Sequence, residues 1–358
     1  MGCLEIFRTK KFYAWQIEIT TKCAFFCKMC IKAECIDYEK KDMKIEDFKK
    51  LVSYFPYVRS VVLEGWGESV LHPHFLDFVS IVKNEGPRVG FVTSGYGLDE
   101  SYIKELLKLG IDFLGFSFSG AKASTHENIR VNSHFDELIG SIRSFQEHAK
   151  TLKLKSPKMH IVYLLLKNNI EDSPFIVDLA KDLGIKEIVF LNIIQISSQA
   201  QNEMKVFSYD ENTAYDIIIR EVQRKASSYG IKVHLPSFTA NQELTTCPER
   251  PLESLYVSVE GDVSPCVYLN PPVKSPFVRI FKDKIYHIER VKFGNLFSES
   301  LDTIWERDEY IAFRDSYLKR ELAAKQMFES LFNFRFFNAF NLPHVPEPCR
   351  TCHKIYGL

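Results

Sequence analysis

Thr20-Thr21-Lys22-Cys23-Ala24-Phe25-Phe26-Cys27-Lys28-Met29-Cys30 decides how the rest of this chain is read. Its three cysteines follow a Cys-x3-Cys-x2-Cys pattern. That spacing is too tight for a four-cysteine zinc site, and no fourth ligand type stands nearby at zinc spacing. It suits an iron–sulfur cluster with one iron left open, because thiolates this close can wrap one corner of a cubane. The preceding run, Ala14-Trp15-Gln16-Ile17-Glu18-Ile19, reads as a strand. The cysteines therefore sit on a loop at a strand's C-terminal end, where barrel-like α/β folds do chemistry.

Composition sets the limits around that loop. The chain has 358 residues, 46% of them hydrophobic and 13% aromatic, including 29 Phe, enough for one large domain and a smaller one. Lys+Arg and Asp+Glu are equal at 46 each, so no charge imbalance suggests a nucleic-acid partner. Met1 to Arg8 lacks the apolar core of a signal peptide, and no run reaches transmembrane length. The expectation is a cytoplasmic protein with no membrane association. Its nine cysteines are then reduced and suited to metal ligation rather than disulfides.

Downstream, apolar residues at helical spacing mark Lys44 to Phe55 as a helix, and Ser60 to Leu63 reads as a short buried strand. The strand runs into Glu64-Gly65-Trp66-Gly67-Glu68-Ser69, where glycines let backbone approach a ligand closely. His72-Pro73-His74 reads as the lead-in to the next helix rather than a metal site, because two His flanking a Pro point apart. Further strands follow at Val89 to Val92, leading to Thr93-Ser94-Gly95; at Phe113 to Gly120; at Met159 to Leu166; and at Glu187 to Asn192, with helices between. The strand at Met159 to Leu166, fifth along the chain, is too apolar to face water on either side. Six strand–helix alternations predict an α/β fold with a parallel sheet. A helix at Ala214 to Ala226 and a closing strand at Ile231 to Pro236 complete this part.

The cysteine loop, its place after the first strand and the segments behind it resemble the radical S-adenosylmethionine (SAM) enzymes. The resemblance implies a partial (β/α)6 TIM-like barrel and a [4Fe-4S] cluster held by Cys23, Cys27 and Cys30, with SAM chelating the open iron. Met29 stands where the family usually has an aromatic residue; its thioether can still pack on adenine. Gly-Trp-Gly-Glu-Ser is similar to the family's Gly-Gly-Glu-Pro-like segment, with Trp66 inserted between the glycines and Ser69 in place of Pro. It carries over Gly65, Gly67 and Glu68 as contacts to the SAM amino group. Ser94, Ser117 and Arg130 occupy further SAM positions, Arg130 as a bidentate partner of the carboxylate, with Ser119 beside them. Leu191, at the end of the sixth strand, matches the residue that packs on the adenine.

Beyond residue 237 the pattern changes. Leu255 to Val259 and Asp262 to Ser264 form a predicted β-hairpin across Glu260-Gly261, and Cys266 lies just past it. With Cys247 before it and Cys349-Arg350-Thr351-Cys352 near the C-terminus, this region resembles the SPASM/twitch domains of radical SAM enzymes. After the last pair, the six residues from His353 to Leu358 do not supply the further cysteines of a full SPASM domain. Cys247, Cys266, Cys349 and Cys352 then suit one auxiliary [4Fe-4S] cluster of the twitch form, while a four-thiolate structural zinc site stands as the alternative. Cys3 and Cys35 read as plain thiols, Cys35 being the only spare ligand. The resemblance divides the chain into an extension at 1–13, a barrel at 14–237 and a small hairpin-plus-helix twitch domain at 238–358. Phe328, Phe332, Phe336 and Phe340, with Phe334 and Phe337 beside them, predict a helix docked by one apolar stripe; an aromatic lid or partner-docking face is the sharper reading.

The implied function is reductive cleavage of SAM to a 5′-deoxyadenosyl radical that abstracts hydrogen from a substrate. Four cysteines saturating the auxiliary cluster leave it only electrons to exchange, which suits a two-electron oxidation: a dehydrogenation, or peptide, protein or cofactor maturation. The implied partners are a low-potential donor of ferredoxin or flavodoxin type and a peptide, protein or small-molecule substrate. Two readings from other classes are a SAM-independent iron–sulfur electron carrier and a zinc-stabilised binding scaffold. No base is singled out; Tyr268, Asp262 and His234 are candidates.

Overall fold

The computed structural model describes residues 12–35, 38–210, 213–240, 243–332 and 342–358. Its centre is a nine-stranded sheet. Six strands lie side by side in chain order and all parallel: β1 (Ala14–Ile17), β3 (Ser60–Val62), β4 (Arg88–Thr93), β5 (Phe113–Phe118), β7 (Lys158–Leu165) and β8 (Glu187–Asn192). The β2 (Phe26–Cys27) and β6 (Arg130–Val131) segments form a separate two-residue antiparallel ribbon. β9 (Lys232–His234) adds to β8 in parallel. This is the parallel α/β sheet that six alternations imply, consistent with the partial barrel of the resemblance, and it is open: β9 is one edge, and the other is reached through the C-terminal region.

Parallel strands need crossovers, and helices supply them. After α1 (Ile45–Lys49), α2 (Phe75–Asn84), α3 (Glu100–Leu109), α4 (Ala123–Ile129), α5 (Phe135–Thr151) and α6 (Ser173–Asp182) follow successive strands. Phe75, Phe78, Val79 and Val82 of α2, Leu106 of α3, Phe145 of α5 and Val177 of α6 are buried in one core with the strands. α3 shows how local sequence sets the ends. Asp99 accepts the Tyr102 amide at 2.8 Å, and Gly110 closes the helix at φ +69°, a left-handed conformation that a side chain disfavours.

Lys44 to Phe55 is not one helix. α1 stops at Lys49 and a 3-10 turn takes over at Val52–Tyr57; Pro56, inside that turn, has no N–H with which to continue an α-helical ladder through Phe55. The β7 strand is also less uniformly covered than its composition suggests. Ile161, Tyr163 and Leu165 are fully buried while Val162 and Leu164 between them are not: Val162 lines a cavity partly open to solvent, and Leu164 packs on the apolar group of Ile129, Leu166 and Ile193.

The region after α7 (Gln199–Met204) and α8 (Asp216–Tyr229) is joined to the same sheet. β10 (Ser254–Val257) pairs in parallel with β1, and β11 (Val263–Ser264) pairs antiparallel with β10. The expected hairpin thus extends the barrel sheet at its first strand, across the division at 237/238. Its turn requires Gly261, at φ +86°. A second hairpin, β12 (Phe277–Phe281) and β13 (Lys284–Ile288), is not evident from the sequence pattern. α9 (Leu301–Trp305) and the long α10 (Asp308–Phe332) follow. Phe328 is exposed; the side chain of Phe332 and residues Phe334, Phe336, Phe337 and Phe340 lie outside the described residues, as does Cys3. Among the described residues, no helix is long and apolar enough to cross a membrane.

Candidate active site

The Cys23–Cys30 loop leaves the C-terminal end of β1 and is fastened at several points. The Thr20 hydroxyl donates to Asp42 at 2.7 Å and that of Thr21 to the Glu39 carbonyl at 2.6 Å. The β2–β6 ribbon sets Cys27 opposite Arg130, and the Gln201 amide donates to the Cys30 carbonyl at 3.0 Å. Burial pushes the thiols of Cys23, Cys27 and Cys30 up, Lys32 opposes the shift at all three, and each thiol feels the charge of another in the set. Lys32 is itself buried, donating to the Thr21 carbonyl at 3.3 Å and lying 4.9 Å from the Tyr38 ring. Nothing in its spacing marked it out. Cys35 stands apart, packed against the cluster of Ile31, Val273, Phe277 and Ile288. Met29 packs on the apolar group that includes Ile129, Leu166 and Ile193.

The Gly65–Glu68 segment closes down on this loop, and the glycines are what permit it. A Cβ at Gly67 would lie 2.1 Å from the Thr20 carbonyl oxygen, and one at Gly65 2.5 Å from the Glu18 side chain. Glu18, buried at the end of β1, accepts the Trp66 amide at 2.7 Å. The Glu68 amide donates to the Lys22 carbonyl at 2.8 Å. The buried Glu68 carboxylate accepts from the Thr93 hydroxyl at 2.9 Å and from the amide and hydroxyl of Ser94 at 2.9 and 2.5 Å. Burial pushes its carboxyl up, with the Ser94 bonds opposing. The structure therefore brings Gly65, Gly67, Glu68 and Ser94 together beside the cysteine loop. Arg130 joins them from β6, its Nε donating to the Ser119 hydroxyl at 2.9 Å.

His72 and His74 are spent on structure. The His72 ring contacts the Met43 carbonyl at 2.9 Å and accepts the His74 amide at 3.0 Å, while His74 meets Asp77 at the start of α2.

The concave face of the sheet lines a cavity of about 470 Å³ that is partly open to solvent, with Gln16, Val62, Val92, Val162 and Leu191 contributed from β1, β3, β4, β7 and β8. Ser117 stands in register with Val162, so its side chain points to the same face. The far wall is C-terminal: Glu249, Cys266, Tyr268 and Lys354. Trp66 spans the two, its indole donating to the Val267 carbonyl at 3.2 Å.

Cys247, Cys266, Cys349 and Cys352 all line one small neighbouring cavity. Burial pushes the Cys349 thiol up to about 12, helped by Cys352 and opposed by a Tyr317 hydrogen bond; burial likewise raises Cys247 and Cys266. Two buried arginines that sequence reasoning missed hold the loops carrying these residues. Arg279 donates to the Pro348 carbonyl at 2.8 Å and the Tyr268 carbonyl at 3.2 Å. Arg320 donates to the carbonyls of Leu244, Thr245 and Pro343. His353, also buried, ties the C-terminus to the barrel through the Ile194 carbonyl at 2.8 Å and the Tyr209 hydroxyl at 2.9 Å.

These thiols fit iron–sulfur clusters. Three thiols share one short loop and four line one cavity, and a cluster takes one thiolate at each of several irons. Buried thiols with raised pKa stay protonated until a metal displaces the proton.

Comparison with known proteins agrees. Residues 17–180 match the radical SAM superfamily and residues 247–353 match an iron–sulfur cluster-binding (SPASM) domain. The tungsten-containing aldehyde ferredoxin oxidoreductase cofactor-modifying protein of Pyrococcus furiosus is 27% identical over 310 residues, covering 83% of this chain and 82% of that one. Streptococcus suis SuiB bound to its precursor peptide SuiA superposes with a TM-score of 0.62 at 13% identity, covering 99% of this chain and 72% of that one. The enzyme anSMEcpe with bound AdoMet and a Cp18Cys peptide gives 0.58 at 15% identity, covering 87% and 85%. The first of these ranges contains Cys23, Cys27 and Cys30 and the second contains Cys247, Cys266, Cys349 and Cys352; the chain belongs to the radical SAM superfamily and is a SPASM-type enzyme of it.

Proposed function

We propose that this enzyme cleaves SAM reductively at the Cys23/Cys27/Cys30 site and carries out a two-electron oxidation of a substrate held in the lumen. The observation that carries the oxidative part is Cys266, which lines both the lumen and the four-cysteine cavity. An oxidation begun by removing a hydrogen atom must shed one more electron, and an acceptor held by Cys247, Cys266, Cys349 and Cys352 shares a wall with that substrate.

When bound, the first cluster supplies the electron that breaks a carbon–sulfur bond of SAM, giving methionine and a 5′-deoxyadenosyl radical. The chain's part is placement. Gly65, Gly67 and Glu68 form the edge that meets the SAM amino group, with Thr93 and Ser94 fixing the Glu68 carboxylate. Arg130 offers its remaining guanidinium N–H groups to the carboxylate, Ser119 having fixed the Nε. Ser117 and Leu191 face the lumen for the nucleoside. The sheet and the C-terminal wall flank the lumen on two sides, and a bound substrate that fills it displaces water from around a reactive intermediate. Residues 14–237 act as the SAM-cleaving unit and 238–358 as the auxiliary unit, and a ferredoxin- or flavodoxin-type donor supplies the first electron. The names of the Pyrococcus furiosus relative and of the SuiB complex favour a cofactor or peptide substrate.

The test is dithionite-driven formation of 5′-deoxyadenosine. The wild-type protein forms it, Cys23→Ala/Cys27→Ala/Cys30→Ala does not, and Cys349→Ala/Cys352→Ala retains it. Formation by the triple variant would overturn the assignment of the first site.

A further inference from the structure

Glu64 lies two residues past the end of β3, immediately before the glycine segment beside the first cysteine set, and lines the lumen. Every other charge on that wall is already matched. Lys354 pairs with Glu249 at 3.1 Å. Arg250 pairs with Glu253 and lies 3.9 Å from the Tyr13 ring. Burial pushes His160 down, leaving a neutral ring. Among the described residues the Glu64 carboxylate has no hydrogen-bond or ion-pair partner. Burial without a partner makes the Glu64 carboxylate costly to keep ionised, and a ligand bringing a positive charge offsets that cost.

We propose that Glu64 anchors a cationic nitrogen group of the substrate, an amine or guanidinium, in the lumen between the two cysteine sites. This rests on the reading of the lumen as the substrate site. Burial, then the charges of Glu249 and Glu68, pushes the Glu64 carboxyl up to about 8, the direction expected of an acid whose counter-charge arrives with a ligand. The cavity, at about 470 Å³, admits a small amine-bearing group. Its position puts that group against the Gly65–Glu68 edge on one side and the Cys266 wall on the other.

The experiment is calorimetric titration of the reconstituted, SAM-loaded enzyme with butylamine, with 1-butanol as the uncharged isostere and butyrate as the anionic one. Butylamine should bind roughly ten-fold tighter than butanol, about the effect of one charge-assisted contact. Glu64→Gln, checked for folding by circular dichroism, should erase the difference. Butylamine binding no tighter than butanol, a preference for butyrate, or a preference that survives Glu64→Gln would each overturn the proposal. The wild-type comparison decides the matter even if the variant misfolds. SAM cleavage by the same wild-type preparation separates the two readings. Its loss counts against the proposed function, whereas a SAM-cleaving enzyme without amine preference overturns only the role of Glu64.

Discussion

Cys27 and Arg130 face each other across the β2–β6 ribbon, and the guanidinium both hydrogen-bonds the thiol and lowers its pKa against the effect of burial. Under the proposed function, one arginine serves both a cysteine ligand and the SAM carboxylate. Arg130→Ala should weaken SAM binding by roughly ten-fold, the loss of a bidentate charge-assisted contact, as read by equilibrium dialysis on reconstituted protein. Arg130→Lys keeps the charge but not the fork and should recover only part of the affinity. Unchanged binding by Arg130→Ala would move the carboxylate contact elsewhere.

Gly67 and Gly140 should respond in opposite directions to alanine. At Gly67 the new Cβ would strike the Thr20 carbonyl at 2.1 Å, rigid backbone that cannot yield, so the cysteine loop and the glycine segment must part. Gly67→Ala should lower the melting temperature and reduce iron retained at the first site. Gly140 lies in α5 with nothing near its Cβ position; Gly140→Ala should stabilise by about 0.5–1 kcal/mol. A Gly67→Ala protein with normal iron content and stability would show that the two loops are not tightly coupled.

Arg279 and Arg320 hold the auxiliary loops by their carbonyls, so apolar replacement strands several buried acceptors at once. Arg279→Leu should cost about 3 kcal/mol or more, seen as a lower thermal midpoint and as loss of about half the iron. Iron retained in full by a destabilised Arg279→Leu protein would limit the arginine to folding.

His126 makes the barrel acid-sensitive. It is fully buried between Phe118 and Phe135, its Nδ1 accepts the Ser119 amide at 3.3 Å, and its Nε2 has no partner. Burial pushes its pKa down to about 3, helped by Arg130. The folded state therefore binds fewer protons than the unfolded chain between about 6.5 and 3. Stability is full above that window and falls as pH drops through it, by up to about 1.4 kcal/mol per pH unit from this group. His126→Asn should flatten that part of the acid-denaturation curve; an unchanged slope would assign the acid sensitivity to other groups.

What the sequence carried was whatever depends on spacing along the chain. The Cys23/Cys27/Cys30 set, the glycine segment and the alternation of strands all have short-range signatures, and each is found where it was expected. Contacts between distant segments have none. Arg279 and Arg320 look like ordinary basic residues until the fold brings carbonyls from far-off loops to them. Glu64 reads as one more acid at a strand end, and only the closing of β10 and Cys266 over the lumen shows that it lacks a counter-charge. The helix expected through Phe55 failed for a local reason that was legible, Pro56, outweighed there by the apolar periodicity around it.

If seven cysteines hold two clusters in two separate sites, as proposed, iron and sulfide counting after anaerobic reconstitution will read both at once. Wild-type protein should hold roughly eight of each per chain. Changing Cys23, Cys27 and Cys30 to Ala, or Cys247, Cys266, Cys349 and Cys352 to Ala, should leave about four in either case. A triple variant that keeps all its iron, or stoichiometric zinc in place of iron at the four-cysteine site, would contradict the account.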